Sequence, residues 1–227
     1  MISAILLTYY KERIEIVKEN LMALEKGTLK PDRIIIANNN TEIKLDQIKC
    51  TNIINSNLNI GTRLRMITAL SVVSDYYYFI DDDCVVREKT LENLYKNRID
   101  GVVGYCGKTA ENGNYRTPLI YGNRIKNEVE TNIIIGVGSM LASYNALINM
   151  FKLEAIYREH PDYNNGREDD LLLSIPNKSK VIPADKDSMI NIKGSQKVGL
   201  YKQENHVLGR IKVTKSAYET WDSYNQL

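Results

Sequence analysis

Three consecutive carboxylates, Asp81, Asp82 and Asp83, follow directly on the apolar run Tyr76-Tyr77-Tyr78-Phe79-Ile80. A short aromatic run broken abruptly by charge reads as a buried strand whose C-terminal end opens into a polar crevice. Open parallel sheets bind ligands at that end. Two unit charges about 4 Å apart, at an effective dielectric of about 20, repel by about 4 kcal/mol, so acids packed this closely need water or a cation between them. Mg²⁺ or Mn²⁺ answers that need, because a hard divalent ion takes oxygen ligands and bridges readily to phosphates. Taken alone, the triplet is more simply a solvated turn at a strand end. A second acidic cluster, Glu168-Asp169-Asp170, precedes the apolar Leu171-Leu172-Leu173. Acids in the first turn of a helix gain about 0.3–1 kcal/mol from its dipole, so helix-start chemistry accounts for this cluster in isolation. Successive helical side chains diverge by about 100°, and Asp169 and Asp170 therefore cannot both face one oxygen.

The elements that must carry these residues follow from periodicity. Residues 2–8 form a first strand, since the apolar run is too short for a signal sequence and lacks a basic lead. Ile14, Val17, Leu21 and Leu24 recur at helical spacing, closed by Gly27. Arg33 to Ala37 is a near-continuous apolar run suited to a parallel strand covered on both faces, which completes a right-handed βαβ unit. Asn38-Asn39-Asn40 stands at its carboxyl end as a turn-tolerant triplet. Thr51 to Ile54 reads as a third strand, and a helix after Asn57-Leu58-Asn59-Ile60-Gly61 is expected to turn Leu64, Ile67 and Leu70 inward. Beyond the acidic triplet come a helix over 88–96, a strand over 101–105 and a Gly-, Asn- and Thr-rich loop or irregular hairpin over 106–116. One β-branched strand is expected from Glu130 to Ile135, ending in the small-residue stretch Gly136-Val137-Gly138-Ser139. A helix from Tyr144, a turn-rich segment through Asn164-Asn165-Gly166-Arg167, a last strand at Lys180 to Pro183 and a loose helical pattern from His206 complete the series. Gly194 to Leu200 reads as a loop.

In this company the Asp81-x-Asp83 pattern resembles the nucleotide-sugar signature of GT-A glycosyltransferases, especially the inverting family-2-like enzymes. The resemblance spans Ser3 to about Ile175 and rests further on Asn59-x-Gly61 before a helix and on Glu168-Asp169 before an apolar one. It implies an α/β fold of GT-A type, a single domain over 1–227 with a mainly parallel Rossmann-like half at 1–105 and a smaller, mixed acceptor-side half at 106–227. It implies a donor site of Thr8, Tyr10, Asn38, Asn59, Arg65, Asp81, Asp82 and Asp83. Asp83 would hold Mn²⁺ or Mg²⁺ directly, and Asp81 would meet the metal through a bound water or else face the ribose, with a late histidine as a further metal ligand, for which His206 is the better placed of two; Asp82 would shape the turn. Asp169, beside Glu168, would deprotonate the acceptor hydroxyl, with inversion. In the family an acid near position 38 often reads the base; Asn38 accepts from uracil N3–H less selectively, so a UDP-sugar is the expected donor. Tyr9 and Tyr10 would either stack on the base or simply pack. Arg63 or Arg65 would face the diphosphate at a helix N-terminus or else lie at the surface, and Lys197 or Lys202 would approach it from a late loop. Trp221 would anchor the terminus or line the acceptor site.

Composition narrows the field. A chain of 227 residues can bury one sizeable core. A net charge of +2, with 26% charged residues of both signs interspersed, lacks the basic footprint of nucleic-acid binding. Cys50, Cys84 and Cys106 are widely spaced, which fits neither zinc nor a disulfide framework and suits a reducing, cytoplasmic compartment. No apolar run approaches the ~20 residues of a membrane span, so any membrane contact is expected to be peripheral. The sequence does not specify an oligomeric state, and such domains also occur as modules of longer polypeptides. Two rivals stay open: a sugar nucleotidyltransferase, whose phosphate-loop tail Gly61-Thr62-Arg63-Leu64 resembles without the preceding glycines, and a non-catalytic glycan- or nucleotide-binding module.

Overall fold

The computed structural model describes residues 1–45, 48, 52–110, 113–136, 139–163, 168–188, 191–192 and 205–226. Thr51, Cys50, Val137, Gly138, Asn164 to Arg167, Lys197, Lys202 and the expected loop from Gly194 to Leu200 lie outside the described residues. In chain order the elements are β1 (Ile2–Thr8), a helical turn at Lys11–Arg13, α1 (Ile14–Lys26), β2 (Arg33–Asn38), β3 (Asn52–Asn55) and α2 (Arg63–Leu70). Next come β4 (Tyr76–Ile80), β5 (Cys84–Val85), α3 (Thr90–Lys96), β6 (Val102–Gly104), β7 (Cys106–Lys108), β8 (Ile120–Tyr121) and a helical turn at Gly122–Arg124. The remainder is β9 (Val129–Thr131), β10 (Ile133–Ile134), β11 (Ser139–Ser143), α4 (Tyr144–Tyr157), α5 (Asp169–Ser174), β12 (Ser179–Val181), β13 (Asn191–Ile192) and α6 (His206–Tyr224).

Eight strands form the main sheet in the order β3-β2-β1-β4-β11-β6-β12-β9. The first four are mutually parallel, β11 runs antiparallel to both β4 and β6, β12 is parallel to β6, and β9 is antiparallel to β12. The chain builds outward from β1 to β2 and β3, then returns to place β4 on the other side of β1. That reversal opens a crevice between the carboxyl ends of β1 and β4, the usual ligand position in open α/β sheets.

Both faces of the sheet are covered, which explains why β4 reads as an unbroken apolar run. Tyr77 and Phe79 point into one core with Met66, Met140, Leu147 and Leu172. Tyr78 and Ile80 point into the other with Leu6, Val17, Leu21 and Leu91. Each side chain alternates faces because the strand period is two. No helix among the described residues is long and apolar enough to cross a membrane.

Two expectations need correction. On α2, Leu64 is buried, but Ile67 and Leu70 are 39% and 44% exposed, while Arg65, Met66, Thr68 and Ala69 face inward. The inward face is shifted because the Arg65 guanidinium pairs with Asp169 and Asp81, so Leu64, Arg65, Met66, Thr68 and Ala69 turn to the core and Ile67 and Leu70 turn away. The segment 130–135 is two strands rather than one. Asn132 interrupts it, accepting from Ala110 N–H at 2.9 Å through Oδ1 and donating its own N–H to the Lys108 carbonyl. β9 thereby joins the main sheet while β10 pairs with β7 in a three-stranded sheet. Downstream, Ser139–Ser143 is a central strand of the main sheet, with Ser139 Oγ donating to the buried Tyr78 hydroxyl at 2.9 Å.

The apolar stripe of α1 contains one amide, Asn20, fully buried between Val17 and Leu21/Leu24. Its Nδ2 donates to the Cys84 carbonyl at 2.8 Å and its Oδ1 accepts from Val86 N–H at 2.9 Å, which clamps the strand that leaves the acidic triplet. Asn20→Leu should strand both backbone groups and cost about 2–4 kcal/mol. Urea unfolding followed by circular dichroism measures that loss.

Candidate functional site

The carboxyl ends of β1, β2 and β4 present Thr8, Asn38 and Asp81 on one edge of the sheet. Behind them lies a scaffold of amides. Asn38 is fully buried; its Nδ2 donates to Asn55 Oδ1 at 2.8 Å and to the Ile43 carbonyl, and its Oδ1 accepts from Asn40 N–H. Its side chain thus ties the turn after β2 together. Asn39 accepts from Ile60 N–H and donates to Asn59 Oδ1 at 2.8 Å and to the Gly61 carbonyl. Asn59 Oδ1 also accepts from Gly61 N–H at 3.0 Å. Gly61 has φ +67°, a left-handed conformation that favours glycine, so the Asn59-x-Gly61 turn sets where α2 begins. Thr8 is fully buried and its hydroxyl has no hydrogen-bond partner among the described residues.

Tyr9 and Tyr10 follow β1, with ring centroids 4.9 Å apart in an edge arrangement. The Arg13 guanidinium lies 4.6 Å from the Tyr10 centroid, and its Nη1 donates to Asp82 Oδ1 at 2.6 Å. Asp82 Oδ2 accepts from Tyr9 N–H at 3.0 Å. Asp82 therefore spans the crevice at its base, joining the end of β4 to the end of β1.

Asp81 turns the opposite way. Its Oδ1 pairs with Arg65 Nη1, and Arg65 Nε donates to Asp169 Oδ2 at 2.6 Å. Residues 81 and 169, 88 positions apart, are thereby linked through one guanidinium. Arg63, by contrast, points to Glu154 of α4, with Nε 2.9 Å from Oε1. Burial lifts the Asp81 carboxyl to about 7 against the opposing pull of Arg65, with Asp83 and Asp169 adding repulsion. Burial likewise raises Asp83, opposed by Arg13 and reinforced by Asp82.

Glu168 stands at the N-cap position of α5 without a capping bond from its side chain, and Asp169 and Asp170 form the first turn, all three buried. As helical geometry requires, the two aspartates part company. Asp170 receives Arg210 of α6 in a fork, Nη1 to Oδ1 at 3.1 Å and Nη2 to Oδ2 at 2.8 Å, while Arg210 Nε donates to the Tyr115 hydroxyl at 2.6 Å. His206 opens α6; burial lowers its pKa, as does Arg210, while Asp170 raises it. Trp221 stacks on Tyr224 near the end of α6, with centroids 5.7 Å apart.

Arg13, Asn20, Tyr115 and Arg210 escaped the sequence reading. An amide or arginine at a core-facing helical position was the available signal for Asn20 and Arg210. Tyr115, from the 106–116 loop, had none.

Among the described residues no three His, Cys, Asp or Glu side chains gather as a ready-made metal cage. Asp81 and Asp83 alone suit an ion of the Mg²⁺ or Mn²⁺ kind, which binds through one or two carboxylates and takes substrate phosphates for much of its remaining shell.

No family model matches the chain, and no curated protein matches it. Solved structures do. The structure of Staphylococcus aureus TarS residues 1–349 superposes with a TM-score of 0.52 at 15% identity, over 81% of this chain and 58% of that one. TarS in complex with UDP-GlcNAc gives 0.54 at 14% identity, covering 81% and 56%, and TarS in complex with UDP gives 0.55 at 15%, covering 81% and 58%. The fold is of GT-A type. At this identity the likeness is one of fold, and the chain spans less than three-fifths of the TarS structures it matches. Within the GT-A fold, the acidic triplet here follows β4 at the switch point and is joined to the start of α5 through Arg65.

The Asp170–Arg210 pair makes a test of the electrostatics. Burial opposes ionisation of Asp170, but Arg210 overcomes it and holds the carboxyl below the ordinary range. A depressed carboxyl contributes stability that is complete above its unfolded pKa near 4 and is lost as pH falls through the folded value. Asp170→Asn should therefore cost about 3 kcal/mol at neutral pH. Urea titrations at stepped pH should show the gap to wild type closing below about pH 4.

Proposed function

We propose that this protein is a metal-dependent glycosyltransferase that moves a sugar from a UDP-sugar to a hydroxyl of a glycan or other acceptor, with inversion. The observation that carries the reading is the Asp81–Arg65–Asp169 chain, which joins an acidic strand end to a buried aspartate across the nucleotide crevice of a GT-A fold. TarS, which shares that fold, is solved with UDP-GlcNAc and with UDP. In this reading residues 1–105 grip the nucleotide and residues 106–227 present the acceptor. A cytoplasmic setting is part of this reading, in keeping with the wide spacing of the three cysteines.

Asp83 and Asp81 would hold Mn²⁺ or Mg²⁺ against the donor diphosphate, supplying Lewis-acid stabilisation of the charge that develops on the leaving group. Asp82 keeps the triplet in register by its bonds to Arg13 and Tyr9. Tyr9 and Tyr10 flank the base, over the amide scaffold of Asn38, Asn39 and Asn59. Asp169 takes the proton of the acceptor hydroxyl at Oδ as the oxygen attacks the anomeric carbon. Arg65 orients that carboxylate through its Nε bond, and the proton leaves to solvent after transfer. Glu168 precedes Asp169 at the start of α5, and His206 feels the charges of Arg210 and Asp170 from the start of α6.

A panel of nucleotide sugars incubated with Mn²⁺ should show release of UDP from one or more UDP-sugars and none in EDTA. Release of pyrophosphate from UTP and a sugar phosphate would instead favour nucleotidyl transfer, and donor binding with no release would favour a non-catalytic module. Once an acceptor is in hand, Asp169→Asn should lower kcat by roughly 10²–10⁴-fold with little change in donor KM. Proton NMR of the product should show the inverted anomer; retention would remove Asp169 from the role of base.

A further inference from the structure

Two arginines meet two consecutive acids at the start of α5, from opposite sides. Arg65 of α2 takes Asp169, and Arg210 of α6 takes Asp170. All four side chains are buried. The pairs are separated by little more than the width of a glycine: a Cβ built on Gly136 would stand 3.5 Å from Arg65 Nη2 and 3.9 Å from Asp170 Cβ. Gly136 N–H also leans on Asp170 Oδ2 at 3.4 Å. Asp170 is thus close enough to attract Arg65, and its charge already contributes to stabilising that guanidinium.

We infer that Arg210 is a positioning residue for the proposed reaction: by occupying Asp170 it leaves Arg65 to Asp169 and Asp81, and so aims the Asp169 carboxylate into the crevice. The inference rests on the reading of Asp169 as the base. Its physical content is a competition. An unpaired carboxylate in a water-poor interior is far more costly than a paired one, and among the described residues Arg65 is the other guanidinium whose charge acts on Asp170. Arg65 would swing towards Asp170, releasing Asp169 from its bond and Asp81 from its partner. Arg210 is itself held in place by the Tyr115 hydroxyl, with its guanidinium 5.0 Å from that ring's centroid. Docking of α6 and of the loop before β8 is in this way converted into the orientation of one carboxylate on α5. A simple staple between α5 and α6 would serve stability alone, and apolar packing already supplies one, with Val213 and Ala217 buried in the same core as Leu153 and Leu171.

The two accounts part on a double variant. Arg210→Gln should lower kcat by about 100-fold, the scale of a misplaced catalytic group, while donor KM moves little. Adding Asp170→Asn removes the competing charge and should return kcat to within about 10-fold of wild type, although the fork is still missing. Arg210→Lys, which keeps the charge and loses the fork, should fall between. Rates are taken well below each variant's unfolding midpoint, so that the folded fraction is equal. A double variant no faster than R210Q, or an R210Q kcat equal to wild type, overturns the inference. If R210Q does not fold, R210K and R210K/D170N replace it, with the same direction expected. If the wild-type chain turns over no UDP-sugar, the proposed reaction fails, and the positioning is read from crystal structures instead. Arg65 should bond Asp170 in R210Q and return to Asp169 in R210Q/D170N. An Arg65–Asp169 contact unchanged in R210Q sinks the inference.

Discussion

The structure depends on neutralising acids that are wholly or largely withdrawn from water. Asp81, Asp82, Asp169 and Asp170 crowd the carboxyl end of β4 and the start of α5, and each is met by an arginine from a different segment: Arg65 for the first and third, Arg13 for the second, Arg210 for the fourth. Buried ion pairs of this kind return little net stability, because desolvation of both partners offsets their attraction. What they supply is geometry. A guanidinium with its fork in two carboxylates has one orientation, and so do the helices that carry it.

Stability comes from elsewhere. The sheet is sandwiched between two apolar layers, one under α1 and α3, the other under α2, α4, α5 and α6, and the strands β1 and β4 contribute alternate residues to each. This division of labour explains the rotation of α2. Apolar burial there is satisfied by Leu64, Met66 and Ala69, and the remaining freedom of rotation is settled by the charge on Arg65, at the expense of exposing Ile67 and Leu70.

Neutral amides do the third kind of work. Asn20, Asn38, Asn39 and Asn59 bond to main chain at turns that leave the sheet, and buried backbone groups demand such partners. The result is a crevice whose turns are tied by hydrogen bonds within the protein itself. The nucleotide-sugar site proposed here would gain from that, since less binding energy goes into ordering the protein.

Much was legible in one dimension. The βαβ opening, the buried fourth strand ending in acids and the helix starting at Asp169 follow from local patterns: apolar period, breaker residues and a charge step at a strand end. So does the divergence of Asp169 and Asp170, since helical geometry alone requires it. What local pattern could not supply was partnership across distance. That Asp81 and Asp169 share Arg65, that Asn132 splits one β-branched run between two sheets, and that Ser139–Ser143 inserts between β4 and β6 are matters of which segments come to lie side by side. The periodicity of a segment records how it meets water and core, so the sequence by itself determined the elements and the end of the sheet where chemistry would sit. The pairing of charges depends on contacts between residues up to about a hundred positions apart, and only the tertiary structure decided which arginine answers which acid.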